Sequence, residues 1–345
     1  MRADPFPLFC FVISLSAFGL LALSVDGATA HFSVVALDYG LSVAALIPAF
    51  LTFQFVVTFS AKVFREAGKD IGPNERLQWY KTTLRAYPWL NMIVAALALI
   101  ITASSFTTYK ALVVGSAGYG YDAMFIAWDR MIFGGVDGWV LTHSIFDTAT
   151  ATMWLDFLYH PTFFPMLVLY FISATFVGRK ELRQTYMSSY LIGFVVIGMI
   201  SANLLHSAGP VFDGVFYGDG STFAPLMDRL QTQLSEGGGP VYADPIRQYL
   251  LRLKVAEVAQ MGGGISAMPS LHMVFAFLWV FAGWHVSRIL GVILALYAGI
   301  IWAASIHLGW HYFVDGLVSL VMIGIIWRVT GHIVGLYGRE NSISC

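Results

Sequence analysis

The feature that most constrains this sequence is a series of apolar runs, each about long enough to cross a lipid bilayer. A helix needs about 20 consecutive apolar residues to span the hydrocarbon core. Runs of roughly this length lie at Leu8–Val25, Leu41–Phe64, Pro88–Thr107, Phe157–Val177, Ser189–His206, Ser270–Val286, Ile289–Ala304 and Tyr312–Val329. They predict an all-α, polytopic integral membrane protein with about eight transmembrane helices.

The composition excludes several other classes of protein. Only 11% of the 345 residues are charged, whereas soluble domains have about 25%. The 19 Lys and Arg residues against 20 Asp and Glu leave a formal charge of -1, so the chain lacks the basic field of a nucleic-acid-binding protein. The cysteines Cys10 and Cys345 lie near opposite ends of the chain, which excludes a disulfide framework and a thiolate metal site.

The charges between the runs predict the orientation of the protein in a bacterial inner membrane or an endomembrane. Cations concentrate between the second and third runs and between the fourth and fifth. By the positive-inside rule both termini are cytoplasmic, and the segments Asp26–Gly40, Tyr109–Asp156, Ser207–Pro269 and Ser305–His311 face outward. The first run is either a transmembrane helix or a signal peptide cleaved near Ala28-Thr29-Ala30.

Two of the outward-facing segments are longer than a connection requires, and long ordered loops are usually functional. In the first, apolar residues recur at helical spacing from Asp122 to Phe133, which predicts a helix lying on the membrane surface. The second contains the glycine-rich stretches Gly237–Pro240 and Gly262–Gly264, and between them a short amphipathic stretch, Ile246–Ala259.

Ionisable side chains at the ends of apolar runs are candidate functional residues, because placing them in a membrane is costly. His311 and Asp315 are four residues apart and are predicted to share a helix face. The carboxylate can accept the proton of one imidazole nitrogen, which leaves the other nitrogen free to attack or to transfer a proton. The alternative is a buried pair that only ties a helix end.

A second candidate group precedes the sixth run. Pro269 suits the first turn of a helix, the glycines before it allow a ligand to approach closely, and the helix N-terminus beside Ser270 is suited to an anion. His272 falls in the same turn, although a glycine hinge and a packing histidine would fit the pattern too. On the predicted topology both histidines lie at the outer face, as an acid and a nucleophile for a phosphate ester would.

These residues resemble two motifs of the type-2 phosphatidic acid phosphatase superfamily. Pro269-Ser270-Leu-His272 is similar to its second motif and His311-Tyr-Phe-Val-Asp315 to its third. The forms AMPSLH and HYFVD resemble the inositol phosphorylceramide synthase branch more closely than the soluble acid phosphatases. The similarity covers roughly residues 200–320.

The resemblance implies a role for each motif residue. His311 would be the nucleophile that forms a phosphohistidine, and Asp315 would orient it. His272 would protonate the leaving oxygen and act as base in the second step, while the Ser270 amide would help to hold the phosphate. The resemblance implies no metal and no cofactor.

The chain departs from the superfamily pattern in its cations. The third motif usually places an arginine six residues before the nucleophilic histidine, where this chain has Ser305, and the first motif is absent. We therefore expect Arg229, Lys254 or His307 to bind the phosphate. The alternative for each is a contact with lipid head groups or with the protein surface.

A metal centre is one alternative to this interpretation. His307, His311 and Asp315 could form a set of two histidines and one carboxylate. Gly309 interrupts the helix between the two histidines, and no second carboxylate lies close in sequence. We therefore expect no metal ligands.

A membrane transporter is the alternative from a different functional class. The polar residues Gln54, Asn91 and Asn203 within the apolar runs would favour it. Scattered polar residues of this kind more often form hydrogen bonds between helices, and no inverted repeat is apparent.

The sequence therefore predicts two regions. Residues 1–150 form an accessory transmembrane bundle with an outer-face surface helix, and residues 151–345 form a catalytic transmembrane domain resembling phosphatases and phosphotransferases. The expected activity transfers a phospho-head group between a lipid and a polyol-type acceptor, as in inositolphosphotransferases, or to water, as in a lipid phosphate phosphatase. The expected partners are the membrane and a phospholipid or other lipid phosphate, with no nucleic acid.

Overall fold

The computed structural model describes residues 6–65, 73–85, 87–116, 118–218, 221–236 and 242–343. Within these ranges every regular element is helical. The α-helices are α1 (Phe6–Ser24), α2 (Ala28–Arg65), α3 (Pro73–Arg85), α4 (Trp89–Leu112), α5 (Asp122–Ile132), α6 (Gly138–Ile145), α7 (Ala149–Tyr159), α8 (Phe163–Ser173), α9 (Lys180–Ile192), α10 (Ala202–Leu204), α11 (Asp213–Phe216), α12 (Ala224–Glu236), α13 (Ala243–Ala256), α14 (Leu271–Val286), α15 (Arg288–His307) and α16 (Phe313–Ile343).

The prediction of an all-α, polytopic membrane protein is confirmed. Among the described residues six helical segments are long and apolar enough to cross a membrane, namely Ala28–Val56, Trp89–Leu112, Ala149–Phe176, Lys180–Leu204, Arg288–His307 and Phe313–Gly335. The segments Leu8–Ser24 and Leu271–Val286 are apolar but shorter. The count of eight spans is therefore not confirmed, since two of the predicted spans fall into the shorter class.

The prediction of an outer loop at Asp26–Gly40 is wrong. Helix α2 begins at Ala28, so only a tight turn around Gly27 separates it from α1. Val35, Tyr39 and Val43 recur every four residues and are all buried, because they form the inner face of the helix. The polar residues that suggested a loop lie elsewhere on the helix surface, where Ser33 is exposed and Asp38 is half-buried.

The two long outer segments contain more helix than was predicted. Helix α5 matches the predicted surface helix and α13 the amphipathic stretch, while α6 and α12 had no counterpart in the prediction. The glycine stretch Gly237–Pro240 lies outside the described residues, as do residues 66–72 of the cationic loop between the second and third predicted spans, whereas α3 occupies most of the rest of that loop.

Helix packing brings the N-terminus of α14 and the segment before α16 to one end of the bundle. Helix α14 forms a hairpin with α15, while α16 packs on α9 and α14. Aromatic rings fill the interior, with Tyr190 stacked on Phe275 at 4.3 Å between ring centroids. At the end where the two motifs meet, the Ser319 hydroxyl of α16 donates to the Ser270 carbonyl at 3.0 Å.

Candidate active site

His311 and Asp315 form the predicted pair, although the helix face they were expected to share does not exist. His311 precedes α16 by two residues, in the link that follows α15. Asp315 lies in the first turn of α16, and its Oδ2 is 3.0 Å from His311 Nδ1 and accepts the Tyr312 amide at 3.0 Å. The same carboxylate oxygen thus binds both a backbone amide at the helix N-terminus and Nδ1 of the imidazole. The other ring nitrogen of His311, Nε2, takes no part in the pair.

Helix α14 presents His272 beside this pair. Ser270 caps the helix, so Pro269 precedes the cap and does not occupy the predicted first turn. The His272 ring stacks on Tyr159 at 4.3 Å, and its Nδ1 is 3.2 Å from the Tyr159 hydroxyl. The His272 and His311 ring centroids are 6.3 Å apart. The two motif histidines therefore lie close enough to act on one substrate group.

Both histidines line a cavity of about 300 Å³. Its walls are mainly apolar and come from α4, α8, α14 and the helical segment Gly193–Ser201 that continues α9. The lining residues include Phe106, Phe163, Phe164, Leu167, Phe194 and Phe275. The glycine-rich segment Gly262–Ser266 contributes a polar edge. A cavity with histidines at one end and aromatic walls suits an amphipathic molecule that carries a phosphate.

A histidine and a lysine that were not among the predicted site residues also line this cavity, His160 and Lys110. His160 follows α7, and its Nδ1 is 2.6 Å from Asp156 Oδ1. Lys110 lies in the last turn of α4, where the left-handed Gly264 packs against it. Each is an ionisable residue at an end of an apolar run, so the criterion that selected His311 would have found both.

Asp122 at the start of α5 is a hub of hydrogen bonds beside the site. Its side chain is almost fully buried. Five donors bind its two oxygens at 2.7 to 2.9 Å: the hydroxyls of Ser207, Tyr217 and Tyr312 and the amides of Ala208 and Gly209. Because Tyr312 follows His311 directly, this carboxylate anchors the side chain next to the candidate nucleophile.

Asp129, two turns further along α5, accepts the amides of Phe313 and Val314 at 2.8 and 3.0 Å. These are free amides at the N-terminus of α16. Burial raises the pKa of Asp129 to about 6. The helix that was predicted to lie on the membrane surface thus holds the nucleophile segment in place through its inward carboxylates.

The other predicted phosphate-binding residues Lys254, Arg229 and Ser270 are not among the residues that line this cavity. The Lys254 ammonium donates to the Gly115 carbonyl at 3.0 Å and lies over the Tyr119 ring. Arg229 is exposed on α12. The buried Ser270 side chain caps α14, and its carbonyl accepts the Ser319 hydroxyl.

His307 belongs to a separate cluster. Its ring stacks on His143 at 3.6 Å, and its Nε2 is 2.8 Å from the Thr152 hydroxyl. His143 Nε2 in turn is 3.0 Å from the His307 carbonyl. Burial lowers the pKa of His143 to about 4, so this histidine is neutral at pH 7. The cluster links α6, α7 and α15.

The described residues contain no group of three or more His, Cys, Asp or Glu side chains arranged to hold a metal ion.

Comparison with known proteins gave one match. A family model for the PAP2 superfamily matches residues 123–329, which is more than half of the chain. The matched region begins in α5 and ends in α16, so it contains His160, His272, His311 and Asp315, while Lys110 precedes it. Comparisons with curated proteins and with solved structures returned no match.

Proposed function

Because the chain belongs to the PAP2 superfamily, it is a phosphatase or phosphotransferase, and we propose that it transfers a phosphorylated head group from a lipid to a polyol-type acceptor through a phosphohistidine at His311. The observation that carries the proposal is the Asp315-bound imidazole of His311 facing His272 across the cavity. The preference for a polyol acceptor rests on the resemblance of AMPSLH and HYFVD to the inositolphosphotransferase motifs.

In the first step Nε2 of His311 attacks phosphorus. The new P–N bond forms as the bond from phosphorus to the leaving oxygen breaks, and His272 gives that oxygen a proton. Asp315 holds the Nδ1 proton of His311, so the attacking nitrogen keeps its lone pair, and the positive charge on the ring is balanced. An acceptor hydroxyl then attacks the phosphohistidine and frees His311.

The phosphoryl oxygens need hydrogen-bond donors and positive charge in the transition state. We assign this role to Lys110 and to the backbone amides near Gly264, because these groups line the cavity that holds the two histidines. Arg229, Lys254 and His307 engage other partners or the surface, so we rank them below Lys110. The proposed chemistry needs no metal.

Phosphorus NMR on purified protein in detergent tests the proposal. The substrates are phosphatidic acid, phosphatidylinositol and an isoprenoid phosphate, each with and without added inositol or another polyol. A new polyol phosphate ester that forms only with the polyol supports the transferase, as a monoester from phosphatidic acid or the isoprenoid phosphate and as a diester from phosphatidylinositol. Release of inorganic phosphate from the two monoesters, or of inositol phosphate from phosphatidylinositol, regardless of polyol identifies a lipid phosphatase.

The controls for this experiment are single substitutions. His311→Ala and His272→Ala should each abolish turnover in folded protein, whereas His285→Ala should not, because His285 is exposed near the opposite end of α14. A chelator should leave the rate unchanged. Identical product spectra for wild type and His311→Ala would contradict the catalytic proposal, and lipid flux into vesicles would then be the activity to measure.

A further inference from the structure

The cavity contains a second histidine–carboxylate pair that the proposed function leaves unused. His160 Nδ1 lies 2.6 Å from Asp156 Oδ1, and Asp156 Oδ2 accepts the Tyr242 amide at 2.7 Å. The side chain of His160 is 7% exposed and that of Asp156 is fully buried. His160 Nε2 is buried and has no hydrogen-bond partner among the described residues.

The orientation of this pair repeats that of His311 and Asp315. In both pairs a buried carboxylate faces Nδ1 of a histidine that lines the cavity. The carboxylate holds the proton on Nδ1, so Nε2 keeps a lone pair and can accept a proton. The edge of the His160 ring also meets Trp310, the residue before His311, at 5.3 Å between centroids. His160 therefore lies beside the segment that carries the nucleophile.

His272 has a different environment from the other two. Its Nδ1 faces the neutral hydroxyl of Tyr159, so no carboxylate stabilises its protonated form. The carboxylates beside His160 and His311 each hold the proton on Nδ1 and leave Nε2 as a proton acceptor, whereas His272 has no such partner at Nδ1. The three histidines of the cavity thus divide into one nucleophile with a carboxylate, one imidazole suited to give up a proton, and one imidazole suited to take a proton.

On the basis of the proposed function, we infer that His160, oriented by Asp156, is the general base that activates the acceptor hydroxyl in the second step. The acceptor oxygen attacks phosphorus, the new P–O bond forms as the bond from phosphorus to His311 Nε2 breaks, and the hydroxyl proton moves to His160 Nε2. His311 leaves as a neutral imidazole that keeps its Nδ1 proton toward Asp315. This assignment differs from the second-step role that the family resemblance implies for His272.

The competing explanation is that the pair only ties α7 to the start of α13, through the bond from Tyr242 to Asp156. His160→Gln separates the two explanations, because it removes the base and leaves Asp156 and its bond to Tyr242 in place. A base in the second step affects only the breakdown of the phosphohistidine. A structural tie would affect both steps and the melting temperature.

The experiment measures the two steps separately with phosphatidic acid and phosphatidylinositol that carry radiolabelled phosphorus, in detergent micelles. Quenching in alkali preserves the phosphohistidine for counting, and steady-state turnover is measured in parallel. We expect His160→Gln to form at least as much labelled protein as wild type while its turnover falls by about 100-fold or more. Asp156→Asn should change the amount of labelled protein and the turnover in the same directions as His160→Gln does, but by smaller factors.

Two further variants identify the step that fails. His272→Gln should form little labelled protein, since it lacks the acid for the leaving group, and the exposed His285→Gln should behave as wild type. In His160→Ala, added imidazole should restore turnover and lower the labelled protein towards the wild-type amount, because the free base enters the vacated site and speeds the breakdown of the phosphohistidine. Rescue of this kind would not follow from a purely structural defect.

Other outcomes would overturn either the role of His160 or the proposed function. Wild-type turnover in His160→Gln, or loss of label and turnover together in both His160 variants with no rescue, overturns the role of His160 in the second step. If wild type forms no labelled protein from either lipid and His311→Ala turns over normally, the proposed function itself fails.

Discussion

At the scale of single residues, the candidate site depends on carboxylates that bind backbone amides and imidazoles at the same time. Asp315 joins the Tyr312 amide to His311, and Asp156 joins the Tyr242 amide to His160. In each case one side chain positions a histidine ring relative to the backbone of a neighbouring segment. The rings are therefore oriented before a substrate arrives, which is how a site avoids reorganisation during the reaction.

The first prediction concerns Asp315→Asn. The amide cannot hold the Nδ1 proton of His311 as a carboxylate does, and it does not balance the positive charge formed when His311 attacks phosphorus. We expect turnover to fall by about 100-fold or more, while the melting temperature falls by only a few degrees because the helix-capping oxygen remains. Turnover of the most active lipid in the NMR panel is the measurement, with His311→Ala as the baseline. Near-normal turnover would show that Asp315 does not orient the nucleophile.

At the scale of elements, α5 and the turn at Gly209 contact and position the segment that links α15 to α16. Asp122 and Asp129 lie seven residues apart on α5 and therefore on one helix face, and both bind backbone or side-chain donors of this link. The exposed face of the same helix carries Trp128 and Met131, which suits contact with lipid. Helix α5 thus anchors the site through one face and exposes apolar side chains on another.

The second prediction is a pH dependence of stability due to Asp129. Burial raises the pKa of this carboxyl to about 6 in the folded protein, from about 3.9 in an unfolded chain. A raised folded-state pKa gives a stabilising contribution that is complete below the unfolded value and is lost as the pH rises through the folded value. Relative to Asp129→Asn, wild type should lose about 2–3 kcal/mol between pH 4 and pH 7.

Thermal unfolding of both proteins in detergent across that pH range measures the effect. Asp228→Asn is the control for the loss of one negative charge, since Asp228 is exposed on α12. A difference between wild type and Asp129→Asn that stays constant or grows in favour of wild type as the pH rises would refute the assignment.

The third prediction concerns the backbone turn at Gly209. This residue has φ 88° and ψ 163°, a conformation that is essentially restricted to glycine. A Cβ there would lie 2.8 Å from the Trp310 carbonyl oxygen and 3.0 Å from the Ala267 Cβ. Gly209→Ala should therefore destabilise the protein by about 2–4 kcal/mol, the sum of backbone strain and overpacking, and should reduce turnover because Trp310 precedes His311.

Gly218→Ala is the matched control for this turn. Gly218 also has a positive φ of 77°, but a Cβ there meets nothing within 4 Å. It should cost only about 1–2 kcal/mol of strain and leave turnover close to that of wild type. Equal losses in the two variants would mean that the contact with Trp310 is not what makes Gly209 necessary.

At the scale of the whole molecule, the distribution of cations predicts that the site faces away from the cytoplasm. Single cysteines introduced into a background with Cys10 and Cys345 replaced by serine test this fourth prediction. Ser235→Cys on α12 should react with a membrane-impermeant maleimide added outside intact cells. Gln78→Cys on α3 should react only after the membrane is opened. Both positions are exposed, so the reverse pattern would place the site on the cytoplasmic side.

The sequence alone determined the fold class and the central residues of the candidate site. Low charge and long apolar runs predict a helical bundle in lipid. A run of this length can cross the hydrocarbon core only if its backbone N–H and C=O groups are hydrogen-bonded, and a helix pairs them within the run itself. His272, His311 and Asp315 could be selected because each belongs to a short contiguous motif. The predicted loop at Asp26–Gly40 was wrong because helix boundaries depend on which face a polar residue occupies.

Only the tertiary structure decided which distant residues join these motifs. Asp122 lies 190 positions before Tyr312 and Asp129 lies 184 before Phe313; neither spacing leaves a local pattern. His160 and Lys110 were visible as ionisable residues near the ends of apolar runs, yet nothing in their neighbourhood showed that they reach the same cavity as His272. Helix packing decides which of these residues come into contact, because the arrangement of α4, α7, α14 and α16 brings the ends of these helices together at one cavity.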